Sequence, residues 1–318
     1  MIFKCDKQTK NLRKKTEVEV EPWHSLVLPL NYDRNPNFNF IKNNLLNSGL
    51  FNTIDYQELP VNKHQQTFIV DNITCLIDAS DRPNINKIIS SGMIGNAKFI
   101  FVLQYCLTMR EYYSFLSRKL NINILPFVYG SSGLFPLSQF RWRQQDHKYL
   151  ANFSFGTSGR HHRNIWIEKA KKNKKFTLDY TTGQEYVDCL KKCKWGLSLK
   201  GYGRKHDGKC YRETEFLSFG MPLAIAYKPY YAFPFIENVH YLYLENVNML
   251  DALKTIDPRP FAIQSKIIWE KYYSPIGLTN LLFSIIHSEK YRNSILGFYP
   301  KKTKPKVNIK LDKIKCKK

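Results

Sequence analysis

Arg212 and Glu215 stand three residues apart in a stretch, Cys210 to Phe219, that reads as a helix. That spacing puts both side chains on one helical face. An arginine in the first turn can fork onto a diphosphate, because the guanidinium presents paired donors in one plane. A glutamate one turn later can accept hydrogen bonds from ribose hydroxyls. Ahead of the helix lies a loop of glycines and cations: Lys200, Gly201, Gly203, Arg204, Lys205, Gly208 and Lys209. Glycines let backbone N–H groups approach an anion, and a helix N-terminus favours negative charge. Lys200, Gly201, Gly203, Arg204, Tyr211, Arg212 and Glu215 are therefore the candidate nucleotide-binding residues. The competing reading is a surface ion pair beside a solvated loop.

The loop is not a GxxxxGK[ST] phosphate loop, and Gly201-Tyr202-Gly203 continues as Arg204-Lys205-His206 rather than completing GxGxxG. A second glycine segment, Gly156-Thr157-Ser158-Gly159-Arg160, precedes a predicted helix from Arg160 to Lys172. Arg160, His161, His162 and Arg163 fall in its first turn, where cations oppose the helix dipole and a bound anion would relieve the cost. Gly156, Thr157, Ser158 and Arg160 form a second candidate cradle; a plain turn before a basic surface helix is the alternative. Adjacent histidines point in different directions, so His161 and His162 are a poor metal pair.

The elements that must position these residues follow from hydrophobic pattern and punctuation. Trp195 to Leu199 is short and apolar, as a buried strand should be. Gly220 and Pro222 stop the helix, and Leu223 to Ala226 is the next strand. Strand, glycine loop, helix and strand make a βαβ unit, whose loop lies where parallel sheets bind ligands. Further strands are expected at Trp23–Leu30, Phe68–Asp71, Thr74–Asp78, Lys98–Leu103, Ile122–Val128, Leu150–Phe155 and Tyr241–Leu244. Helices are expected around Phe40–Leu50, Ile85–Ile89, Tyr112–Leu120, Gln184–Lys192 and Asn248–Lys254. Another spans Ile263–Ile286, broken at Pro275-Ile276-Gly277. Strands alternating with helices predict an α/β fold with parallel sheets covered on both faces.

The run Tyr211-Arg212-x-x-Glu215-x-Leu217-x-x-Gly220-x-Pro222 resembles the R-x-x-E-x-L-x-x-G-x-P segment of exostosin-like glycosyltransferases. Leu197-Ser198-Leu199-Lys200-Gly201 is similar to that family's strand-to-loop entry, and Pro234-Phe235 to a later segment. The likeness is good over residues 195–236 and loose elsewhere. It implies a GT-B fold, two Rossmann-like domains facing each other across a cleft, with a UDP- or GDP-linked sugar held by the C-terminal one. It also implies transfer to a glycan or glycoprotein hydroxyl with inversion. The second glycine loop with Arg160 would then hold the donor phosphate or sugar. That loop also suggests a CAP10-like O-glycosyltransferase, which the Arg-x-x-Glu helix fits less well.

On this reading the chain divides into a basic arm (1–16), an acceptor-side domain (17–147) and a nucleotide-sugar domain (148–262). Terminal helices packing back on the first domain (263–298) and a basic tail (299–318) complete it. Transfer needs a general base for the acceptor hydroxyl and stabilisation of the leaving diphosphate. Asp81 and Asp78, after a strand and before Arg82-Pro83, lead as base; Asp33 and His24 follow, and an Asp before a helix is often only a cap. No D-x-D occurs, so no essential metal and no cofactor beyond the nucleotide sugar are expected.

The 318 residues, 43% hydrophobic and 14% aromatic, suffice for two folded domains. No apolar run approaches ~18 residues, and no apolar segment follows the N-terminal cations as a secretory signal requires. Seven cysteines without CxxC pairs suit free thiols in a reducing compartment, so a cytoplasmic location is expected. The net charge of +23 is concentrated at the ends: six Lys/Arg against one Asp in residues 1–15, and nine Lys against one Asp in 301–318. Such tails suit an anionic membrane surface. The charge and twenty tyrosines also raise a nucleic-acid-binding alternative, but no RRM, KH or zinc-finger pattern accompanies them, and no specific nucleic acid is expected.

Overall fold

The structure is a computed structural model that describes residues 24–297 except 31–35, 81–84, 104, 106–108, 129, 131–139, 154–160, 179–180, 200–210 and 228–234. The basic arm and basic tail lie outside the described residues, as does Asp33. Two sheets with flanking helices form an α/β fold.

The first sheet is built from β1 (His24–Pro29), α1 (Pro36–Leu46), β2 (Phe51–Gln57), β3 (Gln65–Val70) and β4 (Ile73–Asp78). It continues through α2 (Ile85–Ser90), β5 (Phe99–Val102), α3 (Arg110–Leu120) and β6 (Asn123–Pro126). Its strand order is β2-β1-β3-β4-β5-β6. Side chains alternate between two cores, as a period of two demands. Phe99 and Phe101 join Leu26, Ile41 and Leu45 on one face, while Ile100 and Val102 join Ile88, Tyr113 and Leu116 on the other.

This sheet is not wholly parallel as expected. β3 runs antiparallel to both β1 and β4. The cause is the two-residue turn Asp71-Asn72, with φ of 51° and 63°. Two successive left-handed residues make the turn that matches the twist of a hairpin, and Asp and Asn tolerate that conformation best after glycine.

The second sheet uses β7 (Tyr149–Asn152), α4 (His161–Lys171), β8 (Phe176–Thr177), α5 (Gly183–Lys191) and β9 (Cys193–Ser198). Then come α6 (Tyr211–Ser218), β10 (Leu223–Ile225) and β11 (Leu242–Tyr243). All its pairings are parallel, in the order β11-β10-β9-β7-β8. The chain builds outward from β7 to β8, then returns past β7 to lay down β9, β10 and β11. The direction of growth therefore reverses between β7 and β9.

A 3-10 turn (Val247–Asp251) leads into α7 (Ala252–Thr255), followed by α8 (Arg259–Ile268), a π-helical turn (Trp269–Tyr273), α9 (Pro275–His287) and α10 (Glu289–Gly297). The break falls at the expected Pro275–Gly277: Ser274 caps α9 by accepting the Gly277 N–H at 3.0 Å, with Pro275 in the first turn. Leu278, Leu281, Leu282, Ile285 and Ile286 make one apolar stripe at helical spacing, buried in the same core as Leu26, Phe38 and Phe101. The last long helix thus completes the core of the first sheet. We expect Leu282→Ala to cost about 2–5 kcal/mol in chemical denaturation. Ile276→Ala, 55% exposed on the same helix, should stay within about 0.5 kcal/mol; equal losses would refute the stripe as the anchor.

Candidate functional site

In an open parallel sheet, the loops after two strands that flank a reversal of order leave in opposite directions, and a crevice opens at the carboxyl ends. Here those strands are β7 and β9. The segment between the end of β7 at Asn152 and the start of α4 at His161 contains Gly156, Thr157, Ser158 and Arg160. The segment between the end of β9 at Ser198 and the start of α6 at Tyr211 contains Lys200, Gly201, Gly203 and Arg204. These eight residues lie outside the described residues, but the ends that hold both segments are placed side by side at the reversal.

Two arginines bracket the crevice. Arg163, in the first turn of α4, is only 5% exposed, and its Nη2 donates to the Leu199 carbonyl just beyond β9 at 3.4 Å. It was legible only as one of several cations in that turn. Arg212, second in α6, is half-buried, with its guanidinium carbon 5.4 Å from the centre of the Tyr186 ring on α5. A cation over an aromatic face is held by the ring's quadrupole, worth about 0.5–1 kcal/mol where partly exposed. Glu215 follows on α6 and is buried, while Tyr211 opens the helix.

Glu213 was missed by the sequence reading. It is completely buried, and its Oε1 accepts the Ser198 hydroxyl at 2.7 Å and the Tyr227 hydroxyl at short range. One carboxylate thereby joins the end of β9, the helix and the second residue after β10. The available signal was Glu213 with Phe216, three apart on the face that meets β9. Phe216 fills the space left by Gly196, where a Cβ would come within 2.5 Å of the ring. The helix ends as expected at Gly220: its φ is +66°, its N–H donates to Leu217, and the Met221 N–H donates to Phe216. This pattern satisfies two terminal carbonyls, and glycine bears the left-handed turn without strain.

Asp78 ends β4 at the carboxyl edge of the first sheet and has no exposed surface. Its Oδ1 accepts the Ser80 hydroxyl at 2.7 Å, the Gln65 amide at 3.0 Å and the Ser80 N–H at 3.1 Å; Oδ2 has no hydrogen-bond partner. Burial pushes this carboxyl above its ordinary range, against those hydrogen bonds and the nearby His64. Asp81, three residues on, lies outside the described residues. His24 lies at the other end of the sheet, where β1 starts.

A cleft of about 670 Å³ lies at the amino ends of β7 and β9, opposite the strand ends from which the glycine segments leave. Lys148, Lys175, Lys194, Lys254 and Arg259 line it, with Asp146 and Asp257. Much of that charge is already engaged. Lys194 donates to the carbonyls of Lys254 and Ile256, Lys254 pairs with Asp251, and Arg259 with Asp257. Burial lowers the Lys194 pKa. Among the described residues no helix is long and apolar enough to cross a membrane. Cys75, Cys189 and Cys193 are buried free thiols.

No family model matches the chain, and no curated protein matches it.

Two expectations follow from these buried carboxylates. Tyr227→Phe removes one donor from Glu213 and should cost about 1.5–3 kcal/mol in chemical denaturation; a loss under about 0.5 kcal/mol would show that the carboxylate does not need it. For Asp78 the folded pKa is raised, so its favourable contribution is present below about pH 4 and disappears as pH rises through the folded value. Asp78→Asn keeps the accepting oxygen and does not titrate. Its melting temperature should gain on the parent's progressively from about pH 4 to neutrality. A difference independent of pH would refute burial as the source.

Proposed function

We propose that the chain is a nucleotide-sugar glycosyltransferase of the two-domain GT-B kind, with the donor diphosphate at the carboxyl ends of β7 and β9. The observation that carries this reading is a convergence. Both glycine segments leave the two strands that flank the strand-order reversal, and each leads into a helix with an arginine in its first turn. Two glycine segments, two helix N-termini and two first-turn arginines gathered at one strand-order reversal suit a diphosphate better than any neutral ligand.

In this proposal Arg163 and Arg212, with Lys200 and Arg204, carry the negative charge that develops on the leaving diphosphate. Gly201, Gly203, Gly156, Thr157, Ser158 and Arg160 supply close backbone and side-chain contact, and Glu215 accepts the ribose hydroxyls. The acceptor hydroxyl attacks the anomeric carbon and gives its proton to Asp81 while the carbon–oxygen bond to the diphosphate breaks. Attack from the face opposite the leaving group inverts the centre. Asp78 serves as a positioning residue: its three hydrogen bonds at Gln65 and Ser80 hold the chain that enters the Asp81 loop. The acceptor is a glycan or glycoprotein hydroxyl, and the basic ends bring the protein to an anionic surface.

Thermal denaturation with UDP, GDP and their sugar conjugates tests the reading. A ligand at a hundredfold excess over its Kd should add about 2.7 kcal/mol. Arg212→Ala should remove about 1.5–3 kcal/mol of ligand binding, a loss of roughly ten- to a hundredfold in affinity. No stabilisation by any nucleoside diphosphate, or the same stabilisation in Arg212→Ala, would overturn it. Binding without turnover of any donor would leave a nucleotide-sugar-binding relative and refute the enzyme.

A further inference from the structure

Three residues from distant parts of the chain meet at the amino edge of the first sheet. His24 opens β1, Asp71 lies in the β3–β4 turn, and His287 ends α9. His24 Nδ1 is 2.8 Å and His287 Nε2 3.0 Å from the same oxygen, Asp71 Oδ2. The three ligand atoms all lie within 4.8 Å of one another.

We propose that His24, Asp71 and His287 form a binding site for a borderline divalent cation of the zinc type. Such an ion binds imidazole nitrogen and carboxylate oxygen at about 2.0–2.2 Å, which in a tetrahedral site sets neighbouring ligand atoms roughly 3.3–3.6 Å apart. The two observed nitrogen–oxygen separations, 2.8 and 3.0 Å, would have to lengthen by roughly 0.3–0.8 Å to reach that edge. Closing the gap between the two nitrogens needs only a small swing of His287, whose side chain is 43% exposed and can move. Two imidazoles select zinc, nickel, copper or iron over magnesium or calcium, which prefer oxygen alone. Three protein ligands leave one position for water or an exogenous group.

The surroundings fix the ligands as a built site requires. The Ser25 N–H donates to Asp71 Oδ1 at 2.9 Å, which orients the carboxylate and leaves Oδ2 to face both rings. The His24 ring stacks on Phe283 with centroids 3.7 Å apart, so its Nδ1 edge is held toward Asp71. The backbone of Asp71 is left-handed, φ 51°, because the hairpin turn demands it, and that turn delivers the carboxylate to this edge.

The site is remote from the proposed transfer chemistry. Asp71 precedes β4 and Asp78 ends it, so a strand of six residues, about 20 Å, lies between them. Its role would be mechanical: the ion ties the end of α9 to the start of β1 and to the hairpin, fastening the last long helix onto the first sheet. This inference stands independently of the glycosyltransferase reading.

The test uses the full-length protein, stripped with a chelator and then titrated with Zn²⁺ by calorimetry and with Co²⁺ by visible absorption. We expect one equivalent bound with tetrahedral d–d bands, and a melting temperature that rises with ion concentration. His287→Ala, at an exposed helix end, should weaken binding at least about tenfold while the chelated variant melts close to the chelated parent. His24→Gln gives a second reading should the first variant fail to fold. A site-specific loss in either variant supports the site. Absence of stoichiometric binding, or binding unchanged by both substitutions, would show that the three residues are only a hydrogen-bonded clamp.

Discussion

The constraint on which the second half of the molecule rests is the reversal between β7 and β9. Parallel strands must be joined by crossovers, and a chain that builds first to one side and then to the other leaves a crevice that no crossover covers. Everything described around it serves to keep that crevice at a fixed shape. Gly196 lets Phe216 press against β9, Glu213 draws Ser198 and Tyr227 to one oxygen, and Gly220 ends α6 in time for β10 to pair. A buried carboxylate is costly unless its lone pairs are filled. The two hydroxyls that donate to Oε1 come from the strand before the helix and from the second residue after the next strand. The helix that carries Arg212 and Glu215 is therefore fixed in register as well as in direction.

The first sheet meets a different demand. Its exposed edge strand and antiparallel β3 are local solutions, but its core is completed by residues from the end of the chain, the α9 stripe at Leu278 to Ile286. Leu217 of α6 belongs to that same cluster. The helix at the crevice and the helix that finishes the first sheet thus contribute to one apolar cluster.

What could be read from the sequence follows the range of the interaction. β5 was legible because Phe99 to Val102 is apolar on both faces, and the end of α6 because Gly220 and Pro222 are local punctuation. β2 was not, because only its first residue is even partly covered and the rest of Phe51–Gln57 shows no buried alternation. The antiparallel course of β3 was hidden because Asp71-Asn72 lacks the glycine that advertises such a turn. Glu213 looked like any helix glutamate until Tyr227 was placed beside it. His24, Asp71 and His287 share no motif, since their meeting depends on how α9 returns to β1. Composition alone suggested the glycine segments as anion cradles, and only the strand order places the strand ends that hold them side by side.

The electrostatics of the crevice point the same way as its topology. Cations in the first turn of a helix oppose its dipole, each at a cost of about 0.3–1 kcal/mol. α4 has no acidic residue in its first turn, and Arg163 there is nearly buried, where solvent screens least. The Leu199 carbonyl, which accepts from Arg163, offsets part of that cost, and a bound anion would offset more because the helix dipole attracts it. On the proposed function, first-turn arginines at both helix starts would exchange some folding stability for affinity toward a multiply charged anion, although α6 also carries Glu213 in its first turn. On that reading a diphosphate could engage both ends, whereas a monovalent anion would satisfy only one. In the proposed transfer such bridging would give leverage, since the charge on the diphosphate grows as the sugar departs and both ends would then bind it more tightly.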